Sequence, residues 1–107
     1  MNAETLKGHL DLLLLAAVQA RPLHGYAIAE ALRERSDGAF DLAEGTLYPA
    51  LHRLERSGLL SSKWSEVGGR RRRVYQITAK GRRSLAARLG DWRLFARSVH
   101  AIVGEPS

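Results

Sequence analysis

Apolar residues recur at helical spacing over four stretches of the chain and alternate with polar ones over two short stretches. The first stretch predicts a helix over 5–20, with Leu6, Leu10, Leu13, Leu14 and Val18 on one stripe. Leu12 and Leu15 lie off that stripe, so the helix is apolar nearly all round and is expected to be covered on more than one side. In so small a protein a second copy of the chain is the natural cover. Arg21-Pro22 ends the helix. A second helix is expected over 24–35 on Ile28 and Leu32, stopped by Asp37-Gly38. A third is expected over 43–57, burying Leu47, Leu51 and Leu54. Asp41 and Glu44 have capping-box spacing at its start, and Gly58 supplies a left-handed stop. Pro49 is a discord inside it, because proline cannot donate to the Gly45 carbonyl, and a local kink is expected there.

Two strands, over 59–65 and 72–77, flank the hairpin signal Gly68-Gly69. The last stretch predicts a helix over 78–103 with Thr78 as its cap. Leu85, Leu89, Trp92, Ala96, Val99 and Val103 step by 4 and 3 in alternation, a heptad seam that Phe95 and Ile102 widen. A helix of this length spans roughly 39 Å at 1.5 Å per residue. That is too long to be buried by one small domain. A dimer interface is therefore expected on Leu12 and Leu15 of the first helix and on the seam of the last.

The order of elements is that of a winged helix-turn-helix: mostly α with a small β-hairpin, plus a long C-terminal helix. Residues 1–77 form the expected DNA-binding domain and 78–107 the dimerisation helix and tail. In such a fold the third helix enters the major groove and the hairpin reaches the backbone or the minor groove. The charge agrees. The chain of 107 residues has net charge +6, yet residues 53–83 alone carry ten basic and two acidic side chains. Arg70-Arg71-Arg72-Arg73 are four like charges in a row, which repel one another unless a polyanion neutralises them. With Leu47, Leu51 and Leu54 buried, Pro49, His52, Arg53 and Arg56 fall on the far side of the third helix, with Thr46 and Tyr48 on its flanks. Arg53 and Arg56 can pair with phosphate or guanine. Tyr48 can reach a phosphate or pack at the rim of the core, and Arg56 can equally form a surface ion pair.

Several of these residues also resemble the PadR family of bacterial transcriptional regulators. They are Leu23-His24-Gly25-Tyr26; the run from Glu44 to Leu51 with Arg53-Leu54-Glu55; Gly58-Leu59-Leu60; and Gly69-Arg70-Arg71 followed by Tyr75-Gln76-Ile77-Thr78 and Gly81. The likeness covers roughly residues 5–103 and is to the short subfamily with one C-terminal helix. It implies a homodimeric repressor, joined through the first and last helices. It also implies DNA-reading positions at Thr46, Leu47, Tyr48, Pro49, His52 and Arg53, with Gly69, Arg70 and Arg71 at the wing tip. Leu47 conflicts with its place on the buried face and is set aside. A proline at this point of the recognition helix is common in that family. Some short members bind flat aromatic compounds at the dimer centre against a Trp of the last helix, and Trp92 falls at that position. The alternative is that Trp92 simply packs the seam.

Other function classes fare less well. The chain has no Cys, which excludes disulfides, thiolate metal sites and a cysteine nucleophile. His9, His24, His52 and His100 make no pair with a carboxylate or another His at ligand spacing, and no GK[ST] follows Gly68-Gly69, so neither an enzyme nor a metal or cofactor is expected. A winged helix can also serve as a protein or RNA module; a protein-docking module has no need of such a basic stretch, and the motif set argues against another winged-helix family. The longest apolar run, Leu12 to Val18, is too short for a bilayer. Glu4 and Asp11 against a single Lys7 are unlike a secretory signal, so the chain is expected to be cytoplasmic and intact.

Overall fold

A computed structural model describes residues 3–105 of the chain, with side chains from residue 9 onward. Leu6 of the expected stripe lies outside the described side chains. The elements run α1 (Ala3–Ala17), β1 (Leu23–His24), α2 (Gly25–Arg35), α3 (Glu44–Arg56), β2 (Leu60–Val67), β3 (Arg70–Ile77) and α4 (Ala79–Val103). The three strands form one antiparallel sheet in the order β1-β3-β2. Four helices and a hairpin were expected. The strand β1 was not, because two residues are too few to show alternation.

The core gathers around Leu14, Leu15, Val18, Ile28, Leu47, Leu51, Leu54, Leu60 and Tyr75, all fully buried. Helix α1 packs against α2, α3 and α4 at once. That arrangement corrects one expectation. Leu15 is 0% exposed and Leu85 4%, so their side chains are consumed by the protomer's own core and are not available to a second chain. Leu12 and Leu89 are half-buried and pack against that core from outside.

Helix α3 begins differently from the capping-box expectation. Its N-cap is Ala43, which has no side chain to donate an acceptor, and Asp41 stands outside the helix. The Ala43 carbonyl accepts from the backbone N–H of Thr46 and of Leu47, each at 3.0 Å. The helix runs on through Pro49 without a break. Gly45, whose carbonyl loses its donor there, is exposed, so water can replace the missing bond.

The hairpin is longer than expected because its turn is the tightest available. Gly68 and Gly69 both take positive φ, 60° and 75°, the requirement of a two-residue type I′ turn. Pairing then continues to Val67 opposite Arg70, with Glu66 opposite Arg71. The four arginines lie in β3 itself rather than on the turn, and the strand's pleat sends them alternately to opposite faces, which eases their repulsion.

Helix α4 is capped by Thr78, whose Oγ accepts from the Gly81 N–H at 3.0 Å. Gly81 sits where a Cβ would collide with the Leu59 carbonyl and the Ile77 side chain. This close approach pins the root of α4 to the sheet. Beyond Leu89 the helix stands clear of the fold. Trp92, Leu94, Phe95, Val99, Ile102 and Val103 are exposed, Ile102 at 84%. Gly104 at φ 77° closes the helix in the left-handed conformation.

Candidate nucleic-acid interface

Helix α3 and the wing present their polar residues to one another's neighbourhood. On α3, Thr46, Pro49, His52 and Arg56 are exposed, as the burial of Leu47, Leu51 and Leu54 dictates. Tyr48 is half-buried, and its ring lies directly on Gly25 at the start of α2: a Cβ there would come within 2.6–2.9 Å of the ring and its hydroxyl. The glycine of the His24-Gly25-Tyr26 motif is thus the seat on which Tyr48 rests. The ring packs at the rim of the core, and Tyr48 also lines an open cavity with Arg71, Arg72 and Arg73.

The wing face that meets α3 is built from cross-strand pairs. Trp64 lies opposite Arg73 and two pairs along from Arg71, on the same face. Both guanidinium groups sit over its ring, at 5.6 and 5.1 Å from the centroid. Such cation–π contacts hold flexible arginine heads against a flat, half-exposed indole. Nearer the core, Glu55 of α3 accepts from the Ser62 hydroxyl at 2.6 Å and from Arg73 at 3.5 Å, tying the wing to the helix. Gly69, Arg70 and Arg71 are exposed at the wing tip. Trp64 joins this face without having been singled out by the sequence pattern, together with Arg73 of the four-arginine run. Trp64 looked like any strand residue, and only the register puts it beneath two arginines.

His24 caps α2, its Nδ1 accepting from the Ala27 N–H at 3.4 Å. Burial, helped by the positive charge of Arg72, holds its pKa below the usual histidine value. A neutral ring is what an acceptor cap requires. Tyr75 is buried beneath the wing, and desolvation, with Glu55 nearby, pushes its phenol pKa up.

Arg53 departs from expectation. The expectation puts it against phosphate or guanine, whereas its two terminal nitrogens donate to both carboxylate oxygens of Asp11 on α1, at 2.9 and 2.8 Å. This hydrogen-bonded pairing raises the arginine's pKa further above its ordinary value. Arg88 of α4 reaches the same carboxylate at 3.6 Å. The fork engages two of the guanidinium's five N–H donors, while the side chain stays 48% exposed. Asp11 and Arg88 are residues that periodicity alone had no reason to pair.

Around Trp92, which is 46% exposed, α1 and α4 of the same chain lie side by side. His9 and Leu12 of α1 with Arg88, Asp91, Trp92 and Phe95 of α4 line an open cavity of about 280 Å³. Ala96 is half-buried, while Val99 and Val103 are exposed further along the helix. Among the described residues, no three His, Asp or Glu side chains come together as a metal-binding set, and no helix is long and apolar enough to cross a membrane.

Comparison with known proteins agrees with this geometry. A transcriptional regulator of Mycobacterium tuberculosis is 45% identical over 97 residues, covering 86% of this chain and 88% of that protein. The solved structure of a transcriptional regulator from Clostridium thermocellum superposes with a TM-score of 0.85 at 28% identity, over 94% of this chain and 99% of that one. A PadR family transcription regulator of Clostridium difficile is similar at a TM-score of 0.79 and 31% identity, over 90% of this chain and 99% of that one. Residues 14–87 match the family described as transcriptional regulator PadR-like, and with helix, wing and terminal helix all in place the chain belongs to that family.

Proposed function

We propose that this PadR-like regulator is a repressor that binds an inverted-repeat operator as a homodimer. The observation that carries the reading is the placement of the exposed side of α3, with Thr46, Pro49 and His52, beside a wing strand that carries Arg71 and Arg73 over Trp64 on one face and Arg70 and Arg72 on the other. Helix α3 supplies base contacts in the major groove, and the wing supplies phosphate contacts. Two-fold symmetry places the half-site centres about one helical turn, some 34 Å, apart.

The two parts are separable by mutation. His52→Ala is expected to change which sequences bind, at a cost of roughly 1–3 kcal/mol where a base contact is lost. Arg70→Ala or Arg71→Ala is expected to weaken all duplexes alike and to reduce the slope of log affinity against log salt, since each neutralised phosphate releases about 0.9 counterions. Gel-shift titrations at several salt concentrations read both effects. Wing variants that alter base preference while helix variants do not would reverse the assignment, and binding that is flat across salt would refute it.

The cavity beside Trp92 favours a second element of the reading: release of the repressor by a flat aromatic effector. In one protomer the cavity is open, and a second α4 across a dimer axis would enclose it and set two indoles to stack on a planar ligand. Titrating a Trp64→Phe variant with planar aromatics isolates the Trp92 emission. A quench or shift that Trp92→Ala abolishes in a folded dimer supports the effector. An unresponsive indole across a broad panel leaves Trp92 a packing residue.

A further inference from the structure

Among the described residues, Asp11 is the one carboxylate that two basic side chains from two other elements share. Arg53 of α3 grips it as a bidentate fork, and Arg88 of α4 approaches one of the same oxygens. The carboxylate is mostly enclosed, at 19% side-chain exposure, whereas Arg53 and Arg88 keep 48% and 41%. Asp11 itself rides on α1, which touches both partner helices. The three residues therefore fasten the recognition helix and the long terminal helix to a common point. Arg88 also lines the cavity beside Trp92, one turn before the exposed apolar stretch of α4.

A bidentate fork fixes more than distance. The planar guanidinium and carboxylate lie near one plane to make both bonds, so the pair braces the rotation of α3 that the burial of Leu47, Leu51 and Leu54 sets. That rotation decides which side chains of α3 face outward. To contact a guanine edge, Arg53 would have to trade one charge-assisted pair of bonds for another, with little gain. We propose that Asp11 is a positioning residue for operator recognition: through Arg53 it braces the orientation of the recognition helix, and through Arg88 it ties that orientation to the terminal helix. Arg53 then acts through Asp11 and not on the bases. The inference rests on the DNA-binding reading above.

The test uses the full chain and duplexes selected from a random library by the wild-type protein. Affinity is measured for Asp11→Asn, Arg53→Ala and the double variant, with circular dichroism melts alongside. Each single variant is expected to bind about tenfold more weakly, and the double variant no more weakly than either, because coupled residues are non-additive. Melting is expected to move little, since exposed ion pairs contribute little to stability. If Asp11→Asn binds more tightly, Arg53 has been released onto DNA and the proposal is overturned; additive losses overturn it too. Arg88→Ala, which leaves the fork intact, is expected to blur discrimination between selected duplexes and the same duplexes with one base pair added between half-sites. Unchanged discrimination overturns the link to α4, and this variant decides the matter should Asp11→Asn fail to fold. A wild-type chain that selects no duplex overturns the DNA reading and this inference together, whereas selection followed by variants that behave as wild type overturns only the inference.

Discussion

At the scale of single residues, the positions that matter most are set by close approach and by protonation. Gly81 and Gly90 share helix α4, yet a Cβ at Gly81 meets the Leu59 carbonyl and Ile77, while at Gly90 it meets nothing within 4 Å. Gly81→Ala is expected to destabilise the protein by about 1–3 kcal/mol through overpacking. Gly90→Ala is expected to stabilise it by about 1 kcal/mol through helix propensity. Thermal melts of the pair check both, and equal shifts would refute the contact argument. His24 makes a prediction in pH. Its folded-state pKa lies below the unfolded value of 6.5, so the unfolded chain binds the proton more readily. The stability that the neutral cap contributes is fully present above about pH 6.5 and is lost as pH falls through the lowered folded-state pKa. His24→Asn keeps an acceptor at the cap and is expected to flatten stability against pH over that acidic window. An unchanged slope would place its origin elsewhere.

At the scale of elements, much of the fold was legible because each helix carries its own periodic stripe. Leu47, Leu51 and Leu54 marked the buried face of α3, and the glycine pair marked the turn. What stayed hidden depends on how distant elements meet. Nothing local to Leu15 distinguishes a side chain covered by α2, α3 and α4 from one covered by a second chain. The fork between Asp11 and Arg53 spans 42 positions, and the seat of Tyr48 on Gly25 spans 23, so neither has a periodic signature. The start of α3 was misread for a different reason. The capping-box spacing was present, but the chain places Ala43 at the cap instead, at φ −75° and ψ 153°. Those angles suit serine, whose hydroxyl would accept from an otherwise unpaired N–H of the first turn. Ala43→Ser is therefore expected to stabilise the protein by about 1 kcal/mol, measured by urea denaturation at an unchanged m-value. No gain would mean that water already satisfies that end fully.

At the scale of the whole molecule, one chain leaves much of its terminal helix exposed. Its principal extents are 52 × 28 × 21 Å, and the long dimension is that of α4 projecting from the fold. The projecting half carries Phe95 at 64% exposure, Ile102 at 84% and Val103 at 58%, together with Trp92 and Val99. Singly exposed apolar residues are ordinary, but a run of them along one helix that the described residues leave exposed is a surface suited to association. Heptad steps across Leu89, Trp92, Ala96 and Val99 suit a second copy of the same helix, and a two-fold dimer would also present two recognition helices to the two halves of an operator. The choice of test residue follows from burial. Leu89 packs against the protomer's own core, so a charge there threatens the fold as well as the interface. Val99 lies beyond the core and is 39% exposed in the single chain. Val99→Asp is expected to give a folded monomer in sedimentation, with near-native helix content by circular dichroism. Because a monomer offers one recognition helix and one wing, its affinity for the full operator is expected to fall toward that for an isolated half-site. A Val99→Asp chain that sediments as a stable dimer would move the interface away from α4, and a monomer that binds the full operator as tightly as the wild type would remove the need for a dimer in recognition.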